Sequence, residues 1–460
     1  MTDAKVEAEA KPAATEEKKL SNKELKELKK KEKAAKRAAQ KEASGITPEQ
    51  QKQIAEQKIE KKKQKQTTAT HLKKQLNQTV IKENKKIPHL FGHLETREQR
   101  NASSPTISHI VHPAILSLTL KYSSYSVVGS VARLRNMLQV FKQVIQDYKT
   151  PENTTLTRHL TGHLSHQIEY LKSGRPLSVS MGNAIRWLKQ EISLISIDTS
   201  DKKAKEILCS KIDDFIKEKI ELSDQLIVES ASTHISNGST ILTYGHSQVL
   251  EELFVYCAKH QNKHFTLIIV DSRPLFEGKT LIKNLSKALG DELSNYISIH
   301  YVLLNSLSST LLEDVDCVFL GAHAMLSNGR LFARVGTAMI AMMSHTRNIP
   351  VLTCCESIKF SDKVQLDSVT NNELADPEDL ILKKSQKKSF ALEQFIGKKD
   401  DEKNNDDDEP LQNWRKIQTL NVLNIMYDLT PPEYINKIIT ELGALPPSSV
   451  PVILREYKNT

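Results

Sequence analysis

The first 90 residues contain no Phe, Tyr or Trp. A segment built from Lys, Glu, Ala and Gln cannot bury enough apolar area to offset the entropy of ordering it, so residues 1–90 are expected to form a disordered tail. Without aromatics it has nothing to stack on nucleobases. Paired cysteine spacing is missing too: Cys209, Cys257, Cys317, Cys354 and Cys355 are an odd set without CxxC. That argues against a disulfide framework and against a zinc site, and points to reduced, buried thiols. Long apolar runs are absent, the longest lying around 335–343, too short to cross a bilayer. No stretch near the start resembles a signal peptide, and the expectation is a soluble protein of the cytosol.

Two familiar binding signatures are incomplete. Gly278-Lys279-Thr280 has the end of a P-loop, but the earlier glycine falls on Arg273, and without it the backbone nest around phosphates cannot form. His159, His163 and His166 share a helical face, but Leu160 stands where a metallohydrolase needs Glu. These are read as ordinary histidines, and neither a metal nor a cofactor is expected.

What the chain does carry is an uneven charge. Residues 1–86 hold 24 Lys and Arg against 13 Asp and Glu, a surplus of 11, so the rest carries −2 of the total of +9. The basic tail could serve as an arm for RNA, with salt-dependent affinity; its plainer reading is a solvated tail. The body is close to neutral.

Apolar residues recur every three or four positions over 131–148, 156–171, 181–195 and 205–235, with Pro151, Gly174-Arg175-Pro176 and Asp198-Thr199-Ser200 between them. This predicts a helical domain over 109–235. From 238 to 460, β-branched runs at 240–244, 265–271, 297–304, 317–320, 351–355 and 422–427 alternate with helical stretches at 248–260, 279–289, 330–346 and 433–443. Alternation of that kind predicts a Rossmann-like, doubly wound parallel sheet, and hence an α/β fold. A charged segment at about 383–410 reads as a solvated insertion.

In such a sheet, ligands bind beyond the carboxyl ends of the strands. The turns expected to converge there are Gly245-His246-Ser247, Asp271-Ser272-Arg273, Gly321-Ala322-His323 and Cys355-Glu356. Arg273 could hold a phosphate or serve only as a local ion-pair former. On the stretch 211–235 an apolar stripe of Ile212, Phe215, Ile216, Ile220, Leu226 and Ile227 faces the core, while Glu218 and Leu222 sit on a polar flank. Leu222 is either a partner contact or one of the single exposed leucines that are common on protein surfaces.

Four groups of motifs then carry a resemblance: Gly174-Arg175-Pro176-Leu177-Ser178 through Met181-Gly182-Asn183-Ala184-Ile185; Val270-Asp271-Ser272-Arg273-Pro274; Gly321-Ala322-His323-Ala324 with Asn328-Gly329 and Arg334-Val335-Gly336-Thr337-Ala338; and Tyr427-Asp428-Leu429-Thr430-Pro431-Pro432. In these the chain resembles the regulatory-subunit family (alpha, beta and delta) of translation initiation factor 2B, and within it the delta branch. The family is related to methylthioribose-1-phosphate isomerases, whose proton-transferring cysteine and aspartate correspond to Gly245 and His323. A glycine supplies no acid or base, so the resemblance implies a degenerate crevice around Gly245, His246, Ser247, Arg273, His323 and Asn328, and no catalysis.

It further implies a regulatory subunit of the guanine-nucleotide exchange factor for initiation factor 2. Such a subunit pairs with beta and joins alpha, gamma and epsilon in a symmetric decamer. The same resemblance implies that it binds the alpha subunit of initiation factor 2 and senses its phosphorylation through Arg158, Glu218 and Leu222. A sugar-phosphate isomerase is the alternative; an RNA-binding protein is a third reading.

Overall fold

The structure is a computed structural model that describes residues 86–102, 110–152, 154–196, 198–381 and 414–459. The expectations for the tail and for the insertion at 383–410 therefore fall, but for the last few tail residues, outside the described residues. The described residues all belong to one compact unit.

Helices come first. They are α1 (Pro113–Ser123), α2 (Ser130–Asp147), α3 (Leu156–Gly174), α4 (Val179–Leu194), α5 (Asp201–Ile216) and α6 (Ser223–Ser232). Local chemistry sets their starts. Pro113 opens α1, where its missing N–H costs nothing, and His112 Nδ1 accepts from Ala114 N at 3.2 Å. At the start of α4, Ser178 Oγ accepts from Met181 N at 3.3 Å. Leu134, Leu138, Phe141, Leu160, Leu188, Ile212 and their neighbours pack into one core between these helices.

Between α5 and α6 the helix does not stop but widens into a π-helical turn, Lys217–Leu222. Ser223 Oγ donates to the Glu218 carbonyl at 3.1 Å, five residues back, and adds a side-chain bond across the wide turn. Each added residue rotates the downstream face by about 100°. Ile212, Phe215 and Ile220 accordingly pack in the helical core, whereas Ile227, Val228 and Ala231 pack against the sheet. Leu226, expected on the buried stripe, is 50% exposed because the turn moves it off that face.

The main sheet has seven strands in the order β11-β10-β7-β4-β1-β2-β3. They are β1 (Thr240–Tyr244), β2 (Phe265–Asp271), β3 (Ile297–Leu303), β4 (Cys317–Gly321), β7 (Val351–Cys354), β10 (Lys437–Thr440) and β11 (Gly443–Leu445). All neighbours pair parallel except β10 and β11. Both faces are covered: α6, α7 (Gln248–Lys259) and α8 (Glu277–Leu289) on one side, α9 (Thr337–Thr346) on the other. Leu267 and Ile269 face the first layer, Ile268 and Val270 the second. The result is an α/β fold with a doubly wound parallel sheet behind a helical N-terminal region.

A smaller sheet, not anticipated, is ordered β8-β5-β6-β9 and comprises β5 (Ala324–Leu326), β6 (Leu331–Arg334), β8 (Phe360–Ser361) and β9 (Tyr427–Thr430). Two expected helices need correction. The stretch 433–443 contains strand β10, in which Ile438 and Ile439 are buried against different clusters, and a short apolar run buried on both faces looks alike in either period. The stretch 330–346 is β6 followed by α9, divided at Gly336, whose φ of +107° only glycine adopts easily.

Arg175, 1% exposed, binds the helical layer to the rest. Its Nε donates to Glu373 at 2.7 Å, a terminal nitrogen donates to the Tyr427 hydroxyl at 3.0 Å, and its guanidinium lies 4.6 Å from the Tyr125 ring centre. Asn183 on α4 adds bonds to the Ile358 and Phe360 carbonyls at 2.7 and 3.0 Å. Removing one partner of a buried ion pair strands the other charge, so Glu373→Ala is expected to cost about 3–5 kcal/mol. Urea unfolding measures it, and pairing the change with Arg175→Met should recover part of the loss.

Candidate functional site

The strand order reverses between the parallel neighbours β1 and β4: from β1 the order runs outward through β2 and β3, and from β4 through β7 and β10. A crevice opens beyond the carboxyl ends of strands at such a point, and here it encloses about 380 Å³. Gly245, His246 and Ser247 line it from the end of β1, Gly321, Ala322 and His323 from the end of β4, and Glu356 with Lys359 from the loop after β7. The start of α2 closes the helical side.

Two glycines make the close approach possible. Gly245 has φ +65°. A Cβ at Gly321 would stand 2.6 Å from the Ser247 Cβ, so a side chain there would push the two loops apart.

Two expected crevice residues lie elsewhere. Arg273 lines a separate cavity of about 200 Å³ with Ser272, Pro274 and Leu275, sharing Glu277 and Arg334 with the main crevice. Asn328 sits at the tip of the β5–β6 hairpin, where its amide donates to the Gln365 carbonyl at 2.8 Å and the adjoining Gly329 packs on Pro447. It shapes a turn.

The polar groups of the crevice are largely committed to one another. Arg334 forks onto Glu277, Nε to Oε2 at 2.8 Å and a terminal nitrogen to Oε1 at 2.6 Å. Burial alone would make that guanidinium easier to deprotonate, but the Glu277 charge outweighs it and drives the pKa up. His246 Nε2 lies 2.7 Å from Glu251, which also accepts from Asn284 at 2.9 Å. Burial raises the Glu251 carboxyl, and the two hydrogen bonds more than compensate, leaving it below its usual range. Lys359 and Glu356, both buried, form an ion pair at 2.5 Å.

His323 stands 4.3 Å from the Tyr427 ring centre. Burial first, then the positive charges of Arg133, Arg175, Arg334 and Lys359, hold its pKa well below the ordinary value, so the imidazole is neutral. Arg133, 1% exposed, donates to the Pro176 carbonyl and lies 5.2 Å from the Tyr122 ring centre. Sequence reasoning placed Glu356 at the crevice but missed Arg334 and Lys359, which line it, and Arg133, whose charge acts on His323. Arg334 lay within a motif already singled out, but only folding brings it opposite Glu277.

A second candidate region lies on the outer face of the helices. Glu218 and Leu222 both sit on the wide turn and are exposed, Leu222 at 44%. With Leu226, one helical turn on, Leu222 makes an exposed apolar pair. Glu221 on the same turn pairs with Arg135 of α2 at 2.9 Å. Arg158 is exposed near the start of α3, and no hydrogen bond or ion pair among the described residues joins it to Glu218.

A family model for the initiation factor 2 subunit family matches residues 126–447. The chain is 40% identical over 454 residues to a protein of Schizosaccharomyces pombe named translation initiation factor eIF2B subunit delta, covering 96% of this chain and 91% of that one. It is 27% identical over 346 residues to a ribose 1,5-bisphosphate isomerase of Pyrococcus furiosus, covering 74% and 93% respectively. Among solved structures, it is similar to a chain of the tetrameric eIF2B-beta2-delta2 complex from C. thermophilum, with a TM-score of 0.60, 30% identity, and coverage of 77% of this chain and 98% of that one. The fold, the crevice at the strand reversal and these similarities converge: the chain belongs to the initiation factor 2 subunit family, whose members here include translation initiation subunits.

Proposed function

We propose that this chain is a non-catalytic regulatory and scaffold subunit of the guanine-nucleotide exchange factor for translation initiation factor 2. In this reading it works in the cytosol, pairs with a homologous beta subunit, and joins alpha, gamma and epsilon subunits in a symmetric decamer. Its ligand is initiation factor 2, bound through the alpha subunit, whose phosphorylated form it distinguishes. Support for the pairing comes from the similar solved chain, which belongs to a tetramer of two beta and two delta subunits.

The observation that carries the reading is the outer face of the wide turn. Leu222 and Leu226, 44% and 50% exposed, stand beside the exposed Glu218. A serine phosphate brings about −1.5 to −2 charges and strong acceptors, so a surface that combines acidic and apolar groups can separate the two ligand states by their differential affinity. Arg158 supplies an exposed basic group on α3.

The isomerase reading has less support despite the kinship with a ribose 1,5-bisphosphate isomerase. On the expected correspondence, the positions of the cysteine and aspartate hold Gly245 and His323. A residue without a side chain and a neutral imidazole facing four cations offer no pair to move a proton between adjacent carbons.

Two outcomes are expected. Leu222→Gln or Glu218→Lys, placed in the assembled complex, leaves thermal stability unchanged but weakens the response to phosphorylated ligand. Losing one apolar contact of about 1.4 kcal/mol corresponds to roughly tenfold in affinity. Exchange assays with and without phosphorylated ligand read this, and equal inhibition in variant and wild type would reject the surface. The purified chain is also expected to show no aldose–ketose conversion of a sugar phosphate, and turnover there would reject the non-catalytic reading.

A further inference from the structure

Two residues past the wide turn, Asp224 is 1% exposed, and neither of its carboxyl oxygens finds a hydrogen-bond donor. A buried acceptor of this kind costs stability unless something resolves it. What faces it is another acid. Its side chain lies within hydrogen-bonding reach of Glu356, with Glu252 of α7 and Lys359 also acting on it. Glu356 is itself held by Lys359 at 2.5 Å, and Glu252, Glu356 and Lys359 all line the crevice. Arg135 of α2 acts on Glu252 in turn.

Two carboxylates in contact inside a protein do not both ionise against one ammonium. One of them keeps its proton and becomes a donor. Burial, and then the negative charge of Glu356, push the Asp224 carboxyl up to about 9.

We propose that Asp224 is a positioning residue: its carboxyl donates to Glu356, which Lys359 holds, and this buried link fixes the wide turn that presents Glu218 and Leu222. Acid, carboxylate and ammonium together are neutral, and they join the outward-facing helix to the loop that floors the crevice. Loss of the proton leaves two carboxylates against one lysine and pushes α6 away from that loop. The acid's pKa is raised from an unfolded value near 4. The folded chain therefore holds a proton that the unfolded chain has released. The folded link therefore keeps its proton at neutral pH and is lost as pH rises through about 9, while the stability it adds relative to the unfolded chain is full below about pH 4 and declines from there.

This inference deepens the reading of the turn as the ligand-facing surface, and its test is separable from that reading. Amide hydrogen exchange over residues 217–226 is followed in the full chain, within the complex it purifies with, from pH ~7 to pH ~10 after correction for intrinsic rates. Wild-type protection is expected to fall on the order of tenfold across that range. Asp224→Asn, whose amide donates to Glu356 at every pH, should hold its protection constant. Asp224→Leu should exchange faster already at neutral pH, in this segment and not in β1 or β2.

A pH-dependent loss in Asp224→Asn equal to that of wild type would overturn the proposal. That comparison decides the matter even if Asp224→Leu does not fold. An unchanged response to phosphorylated ligand in a variant whose turn has loosened would instead overturn the ligand-face reading and leave the positioning role standing.

Discussion

One continuous run of helix, from Asp201 to Ser232, has to serve two cores. Its first half buries Ala204, Leu208, Ile212 and Phe215 among the other helices, and its second half buries Ile227, Val228 and Ala231 against the parallel sheet. A regular α-helix keeps one stripe facing one way. The wide turn at Lys217–Leu222 changes the phase between the two tasks. The same extra residue that satisfies both cores turns Leu222 and Leu226 outward, so the surface proposed for recognition is a by-product of the packing requirement.

The crevice depends on the same junction. Arg175 and Asn183 clamp the helices onto the α/β part, which brings the start of α2 over the carboxyl ends of β1 and β4. What is then enclosed is a set of interlocked pairs: Arg334 with Glu277, His246 with Glu251, and Lys359 with Glu356. Groups bound to one another stiffen a floor and transmit displacement. The pairing inside the pocket suits a structural joint.

Much of this was legible in the residues. Period and punctuation mark the helices from 131 onward and the strands at 240, 265 and 317, because Pro151, Gly174-Arg175-Pro176 and Asp198-Thr199-Ser200 break the helical pattern where the chain turns and β-branched runs follow. Ile438 and Ile439 read as helical in the sequence because burial on both faces removes the alternation that distinguishes a strand. Leu226 falls on the buried stripe of the sequence pattern because a phase slip leaves no mark in a hydrophobic pattern. Arg334, Glu356 and Lys359 are ordinary surface-type residues by composition, and only the fold shows that the last two are buried as a pair beside Asp224. Asn328 and Arg273 shared motifs with crevice residues, but the β5–β6 hairpin and the turn after β2 carry them elsewhere.

In the proposed function the outer face of the wide turn, and not the crevice, is the working surface. Hydroxyl-radical footprinting of the assembled complex, with and without phosphorylated ligand, tests it most directly. Protection should appear at Leu222 and Leu226 on adding ligand, with the oxidation of Tyr244 and His323 in the crevice unchanged. Protection confined to the crevice, or no change at the turn under saturating ligand, would contradict the account.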